Sequence, residues 1–461
     1  MSNIATAMII LLPSLTACAP KPMKWECPKL HNSAFNSSVD SNHSDPKTVK
    51  IQIDGTLSMQ GFVKIDSSRY VQTLDYLDRA VTTAFTNSKV KYYRFGISSE
   101  ELKGEQNSQK AQSSAFYSSK DPNLKDAKFN AVMKPASKYD ADEMLIVVTD
   151  LYQKESSQES PIIKLIKENY IQKGNAIGIL AVKSEFKGTV YDVGKQDKKF
   201  EWTTEKNRVN KFHPFYIILL GKYKNIVDFF DQLKGNNISF FENEKFIIYY
   251  PQVLEKLLFL NISDNESKRD LPQGINSRKS INDGHIRLEL ENPNSTDTDI
   301  LKISKKYDED SQKEIAYAIN YSPLPYTLQI EPKTKPITSE IFRESNNNFD
   351  HIDSELIKFS QWKIQDKTLS FVTNLNSVKE TGVYRFVFDV FPSKLKGQSW
   401  WSTWSFNEEE AKSWSIEPKN FDGSRTYNLL PFLQSLSEIT LQQIESSKSP
   451  IGRFCYVIHK E

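Results

Sequence analysis

The residues of this chain best placed to do chemistry lie in Val49-Lys50-Ile51-Gln52-Ile53-Asp54-Gly55-Thr56-Leu57-Ser58-Met59-Gln60-Gly61. An apolar strand runs there into an acidic, hydroxyl-rich turn. Asp54, Thr56 and Ser58 alternate, so an extended turn can point one carboxylate and two hydroxyls into the same small volume. Oxygen-only donors suit a hard divalent cation, Mg²⁺, Mn²⁺ or Ca²⁺, rather than zinc. A second candidate, Asp150, ends the continuous apolar run Met144-Leu145-Ile146-Val147-Val148-Thr149. In an open sheet of parallel strands, ligands gather beyond the carboxyl ends, where both aspartates would stand.

The elements that must position these groups alternate. Val49–Ile53, Val90–Gly96, Met144–Asp150, Ala176–Val182, Phe215–Gly221 and Phe246–Tyr250 read as strands, and the last as an edge. Helical spacing marks 70–85, where Val71, Leu74, Leu77, Ala80, Val81 and Ala84 recur, and further helices are expected at 127–137, 161–172 and 226–233. Strand runs that are apolar throughout imply burial on both faces, as in a parallel sheet covered by helices. The fold class expected is therefore α/β, a doubly wound, mostly parallel sheet over 48–262. A charged, Asn- and Ser-rich stretch at 263–283 reads as a linker. From 284 to 461 short strands follow one another with turn residues between them, which suggests a β-sandwich, closed by a helix at 425–441 and a strand at 452–459.

The strand-end pair Asp54-Gly55-Thr56-Leu57-Ser58 and Val147-Val148-Thr149-Asp150 resembles the von Willebrand factor A domain. In that family a D-x-S-x-S loop, a threonine of a second loop and an aspartate of a third surround a divalent ion, and a partner's carboxylate completes its shell. The resemblance implies that Asp54, Thr56, Ser58 and Asp150 hold the ion. It also implies non-covalent recognition of a protein partner through an acidic side chain on the metal. The second-loop threonine has no counterpart here, and Asp121 or Ser119 stands in its place. Gly61 and Tyr152 would lie on the partner-binding rim. The same residues also resemble the D-x-D-G-T-L motif of haloacid-dehalogenase phosphatases, but the nucleophile's position is taken by Gln52, an amide that cannot form an aspartyl-phosphate. A metal-dependent phosphoryl or ester hydrolase is thus the alternative function, and a metal-free scaffold subunit of an envelope assembly a third.

At the N-terminus, Ile4 to Leu15 is apolar and ends in Leu15-Thr16-Ala17-Cys18. It is short for a membrane span, and small residues before a cysteine suit signal-peptidase cleavage. The string resembles a bacterial lipobox, which implies a signal peptide at 1–17, lipidation of Cys18, a tether at 18–47 and attachment to a membrane of the cell envelope, the outer one in a Gram-negative cell. Cys27 and Cys455 remain as a candidate disulfide or as two free thiols. A formal net charge of +2 gives no reason to expect nucleic acid as a partner. No G-x-S-x-G, H-E-x-x-H or G-x-x-x-x-G-K-[ST] occurs, so the common hydrolase, zinc and nucleotide routes lack a motif. Trp400, Trp401, Trp404 and Trp414 cluster in one segment and are expected to fill a core or seam rather than form an exposed platform. The Lys183–Gly188 loop follows a strand and could line the ligand face, though it reads more simply as a solvated loop, and the Lys- and Asp-rich run 194–206 reads as an exposed insertion.

Overall fold

The computed structural model describes residues 45–104, 107–117, 120–129, 132, 142–151, 161–254, 258–261, 288–290, 300–303, 314–320, 322–332, 339–345, 348–352, 358–365, 368–374, 380–446 and 450–460. The signal segment, most of the tether, Cys18, Cys27, Ser119, Tyr152 and the linker at 263–283 lie outside them, as does most of the helix expected at 127–137.

Strands β1 (Thr48–Asp54), β2 (Lys89–Phe95), β3 (Ser99–Glu101), β4 (Glu143–Thr149) and β5 (Ala176–Ser184) are followed by a hairpin of β6 (Lys187–Val193) and β7 (Lys198–Thr203), and then by β8 (His213–Gly221) and β9 (Lys245–Tyr249). Seven of them form one sheet in the order β3-β2-β1-β4-β8-β5-β9. β1 pairs in parallel with both β2 and β4. β8 enters between β4 and β5 and runs antiparallel to each, so β5 points the same way as β4. β3 and β9 also pair antiparallel, with β2 and β5, so the fold is α/β as expected while the sheet is mixed, with its parallel pairs centred on β1. Continuous apolar character encodes burial on both faces and carries no information about strand direction, which is why β8, buried along its whole length, reads in sequence like its parallel neighbours.

Helices cover both faces. Helix α1 (Arg69–Ala84) begins at Ser68, whose Oγ accepts the Val71 amide at 3.3 Å and donates to the Phe62 carbonyl at 2.6 Å. It packs with α3 (Tyr223–Asn236) over Val49, Ile51, Ile53, Ile146 and Val148. On the other face α2 (Pro161–Asn169) lies over Leu145, Val147, Ile177 and Ile179. Alternate residues of β4 and β5 thus enter opposite cores, as a two-residue side-chain period requires. β1 differs, because its second face carries Lys50, Gln52 and Asp54.

Beyond residue 258 the chain is β-rich. One sheet runs Leu288–Leu290, Ile300–Ile303, Gly452–Lys460, Gly382–Val390, Ser339–Ser345 and Asn348–Ile352, with Leu258–Asn261 also paired to Gly452–Lys460, and three strands, Glu314–Asn320, Thr368–Asn374 and Lys358–Gln365, form another. Helices α4 (Glu408–Ile416) and α5 (Leu429–Ser446) follow. Phe432, Leu433, Leu436 and Ile439 of α5, with Trp400 and Trp401, belong to the same core as Ile162, Ile166, Ile177 and Tyr249. The Tyr249 hydroxyl donates to the Leu433 carbonyl at 3.2 Å, and Lys167 Nζ to Gln442 Oε1 at 3.0 Å. Residues assigned by sequence to the C-terminal module therefore complete the core of the α/β unit. Trp400, Trp401 and Trp414 are buried, in line with the expectation of core or seam, while Trp404 is half-buried at the seam.

Candidate functional site

β1 delivers Asp54 to the carboxyl edge of the sheet, beside Thr149 at the end of β4 and opposite Phe95 of β2. The turn that follows folds back on the carboxylate. The Thr56 amide donates to Asp54 Oδ1 at 3.0 Å and the Thr56 hydroxyl to the same oxygen at 2.7 Å, while Thr56 Oγ1 lies 3.0 Å from Ser58 Oγ. From β4, Thr149 Oγ1 donates to Asp54 Oδ2 at 3.0 Å. Thr149 Oγ1 also accepts the Leu151 amide at 3.1 Å, closing a tight exit in which Leu151 takes a left-handed conformation with φ 53°. That exit sets Asp150 at the rim.

Asp54 is fully buried. Burial pushes its carboxyl up to about 7, the nearby charge of Asp150 adds to this, and hydrogen bonds from Thr56 and Thr149 pull the other way. Above it opens a cavity of about 230 Å³. Thr56, Leu57 and Ser58 form its floor with Asp150, residues 124–127 and Phe129 one wall, and Tyr191, Asp192 and Lys199 the other. The second wall is the tip of the β6–β7 hairpin, where the register shifts between Val190 and Val193. Lys199 Nζ stands over the Tyr191 ring at 5.0 Å. Asp126, Asp150 and Asp192 line the cavity against Lys125 and Lys199, with Asp54 beneath, so its field is acidic.

The structure brings together Asp54, Thr56, Ser58 and Asp150. It does not bring Asp121 to them: that carboxylate accepts from Arg94 Nη2 at 2.9 Å and caps the turn Pro122–Leu124 through the Asn123 amide at 2.9 Å. Arg94 at the end of β2 draws it away from the cavity. Gly61 is not a rim residue either. It is buried, and a Cβ there would meet the Phe186 ring at 2.3 Å, so the position serves packing of the hairpin base on the turn after β1. Gln52 accepts from Ser99 Oγ of β3 at 2.7 Å, apart from the cavity.

Sequence reasoning overlooked Thr149 and the hairpin. Thr149 could have been found from its place one residue before Asp150 in a strand pairing with β1. The hairpin run 194–206 carries no such mark, because only the fold turns its charged tip back over the strand ends.

The donor chemistry fits a hard divalent cation. Among the described residues no three His, Cys, Asp or Glu side chains gather as a metal cluster. The available set is instead two carboxylates and the hydroxyls of Thr56, Ser58 and Thr149. Three donors occupy Asp54, and a carboxylate offers about four acceptor positions, so a lone pair remains on it. Mutual repulsion between Asp54 and Asp150 is the feature that a cation would relieve.

No known family model, curated protein or solved structure matches the chain. Among the described residues, no helix is long and apolar enough to cross a membrane.

Proposed function

We propose that this chain is an exported, lipid-anchored binding protein of the cell envelope. In this reading a von Willebrand factor A-like α/β unit holds Mg²⁺, or Mn²⁺ or Ca²⁺, and recognises an acidic group of a protein partner. Asp54, Thr56, Ser58, Thr149 and Asp150 would hold the ion, directly or through water, and the ion would supply an electrophilic point for a carboxylate. Anchoring would run through Cys18, and the β-rich part would be a sandwich supporting the recognition face. No bond is made or broken, and the chain acts as no enzyme.

The observation that carries the reading is the placement of Asp54 and Asp150, far apart in sequence, at one strand-end edge: Asp150, Thr56 and Ser58 line one cavity, and Asp54 is held by the hydroxyls of Thr56 and Thr149. Two carboxylates and a few hydroxyls leave coordination positions of a six- to eight-coordinate ion open, where an oxygen of a partner's carboxylate could enter. Lys125 and Lys199 in the cavity lining suit the same anionic group.

Calorimetric titration of the exported form with Mg²⁺, Mn²⁺ and Ca²⁺ tests the proposal, with Asp150→Asn as the informative variant because Asp150 is less enclosed than Asp54. Saturable binding by wild type that the variant loses supports it. A wild type silent towards all three ions favours the scaffold reading, in which the three hydrogen bonds to Asp54 Oδ1 and Oδ2 hold the turn without an ion.

A further inference from the structure

A second cavity opens on the same edge of the sheet, beyond β8. Because β5 runs parallel to β4 and β8 antiparallel, the end of β5 and the start of β8 lie on the edge that carries Asp54 and Asp150. The space measures about 510 Å³, within the range of small-molecule sites. It is lined by residues of β5, the turn 209–211, the start of β9 and the C-terminal segments 403–404 and 422–425.

Four cations face it, Lys183, Lys211, Lys245 and Arg425, against Asp422 and Glu244. Both carboxylates are engaged: Asp422 with Lys211 at 3.1 Å and Arg425 at 3.7 Å, Glu244 with Arg69 at 2.5 Å. Lys183 finds no carboxylate at ion-pair distance among the described residues. Its Nζ donates to the Asn210 carbonyl at 3.1 Å and stands 4.9 Å from the centre of the Trp404 ring. Burial holds its ammonium down at about 8. A cationic excess therefore sits beside a half-buried indole and the exposed Val209. Asn210, Asn243, Thr403 and Ser424 add amide and hydroxyl groups around it.

We propose that this second cavity binds an acidic saccharide, a sugar carrying a carboxylate or phosphate. Lys183, which stands over part of the Trp404 ring, takes the anionic group with Lys245, the uncovered part of the half-buried indole takes the apolar C–H face of the sugar beside it, and the surrounding amides and hydroxyls take its hydroxyl groups. Indole against a flat apolar face, polar groups at its margin and cations to one side are the complement of such a ligand. This site is independent of the metal reading, since none of its groups belongs to the first cavity.

Titration calorimetry with glucuronate, glucose 6-phosphate, glucose and inorganic phosphate tests the assignment on the full chain, with Lys183→Met, Lys245→Ala and Trp404→Leu as variants and near-ultraviolet circular dichroism as the check on folding. One or both acidic sugars are expected to bind; preference between them identifies carboxylate or phosphate as the anion. Each lysine variant should weaken that binding by about tenfold, as should Trp404→Leu. Lys245→Ala, at a half-exposed position, keeps the test open if either of the others fails to fold. The proposal is overturned if neither acidic sugar binds, if glucose or inorganic phosphate binds as tightly as they do, or if folded variants bind like wild type.

Discussion

The two cavities share one edge of one sheet and carry opposite fields. The first is acidic and is floored by a local motif at the end of β1 and by the neighbouring end of β4. The second is basic and takes its walls from segments separated by more than two hundred residues, from Lys183 to Arg425. Strand ends supply the location in both cases, while the loops that arrive there decide the chemistry. A short motif can specify a site when adjacent strands bring its parts together. A site gathered from distant segments depends on the packing of everything between them.

That contrast is open to attack, most forcefully through the seam. Phe432→Ala removes a fully buried ring from the core shared by α5 and the sheet, and a loss of about 3–5 kcal/mol is expected in chemical unfolding. The unfolding should stay one transition, and the variant should lose ligands of the basic cavity before those of the acidic one. Separate transitions for residues 48–254 and the remainder would break the comparison.

Acid should act on the same seam. His213 is buried against Phe62 and Phe186, its Nδ1 is hydrogen-bonded to the Gly423 carbonyl, and desolvation holds its imidazole down at about 4, against an ordinary 6.5. Its folded-state value is depressed, so the unfolded chain binds the proton first. Stability from the neutral ring is complete above 6.5 and is lost as pH falls from 6.5 towards 4, by on the order of 3 kcal/mol. Asp54 and Glu244, whose carboxyls burial raises to about 7, contribute the opposite slope in the same window, so the histidine is read by difference: relative to wild type, denaturant midpoints of His213→Gln should gain on going from pH 6.5 to 4.

The acidic side answers to smaller changes. Asp150→Asn should weaken Mg²⁺ binding by roughly 100-fold in calorimetry while leaving saccharide binding in the other cavity unchanged. Equal loss at both would show that they are one coupled site. The smallest effect is expected from Ser68→Ala, which removes the N-cap of α1 and should cost about 1 kcal/mol in thermal or denaturant unfolding, with both ligands still bound.

How much of this was legible followed from sequence distance. Asp54, Thr56, Ser58 and Asp150 could be read because strand ends and a two-residue period place them with little help from the rest of the chain. Asp121 could not be excluded beforehand, since its fate is fixed by Arg94, twenty-seven residues away in sequence. Gly61 reads as a rim position because nothing near it in sequence announces Phe186, whose ring leaves no room there for a side chain. The strands and helices from 48 to 250 were largely readable from their periodicity, whereas the direction of β8 was not, because burial on both faces suits either direction. A helix was legible at 425–441 and lies at Leu429–Ser446, but nothing in its composition says that it docks on a sheet formed some two hundred residues earlier.

The central position of β8 has a consequence for how the chain is made. Until residues 213–221 emerge from the ribosome, β4 and β5 have no strand to join them, and each offers an apolar edge with open amides and carbonyls. Nascent chains halted between Thr203 and His213 should therefore be the most aggregation-prone of all lengths, and those released just past Gly221 far less so. The window between those two lengths is where a holding chaperone would do most for the yield of this protein.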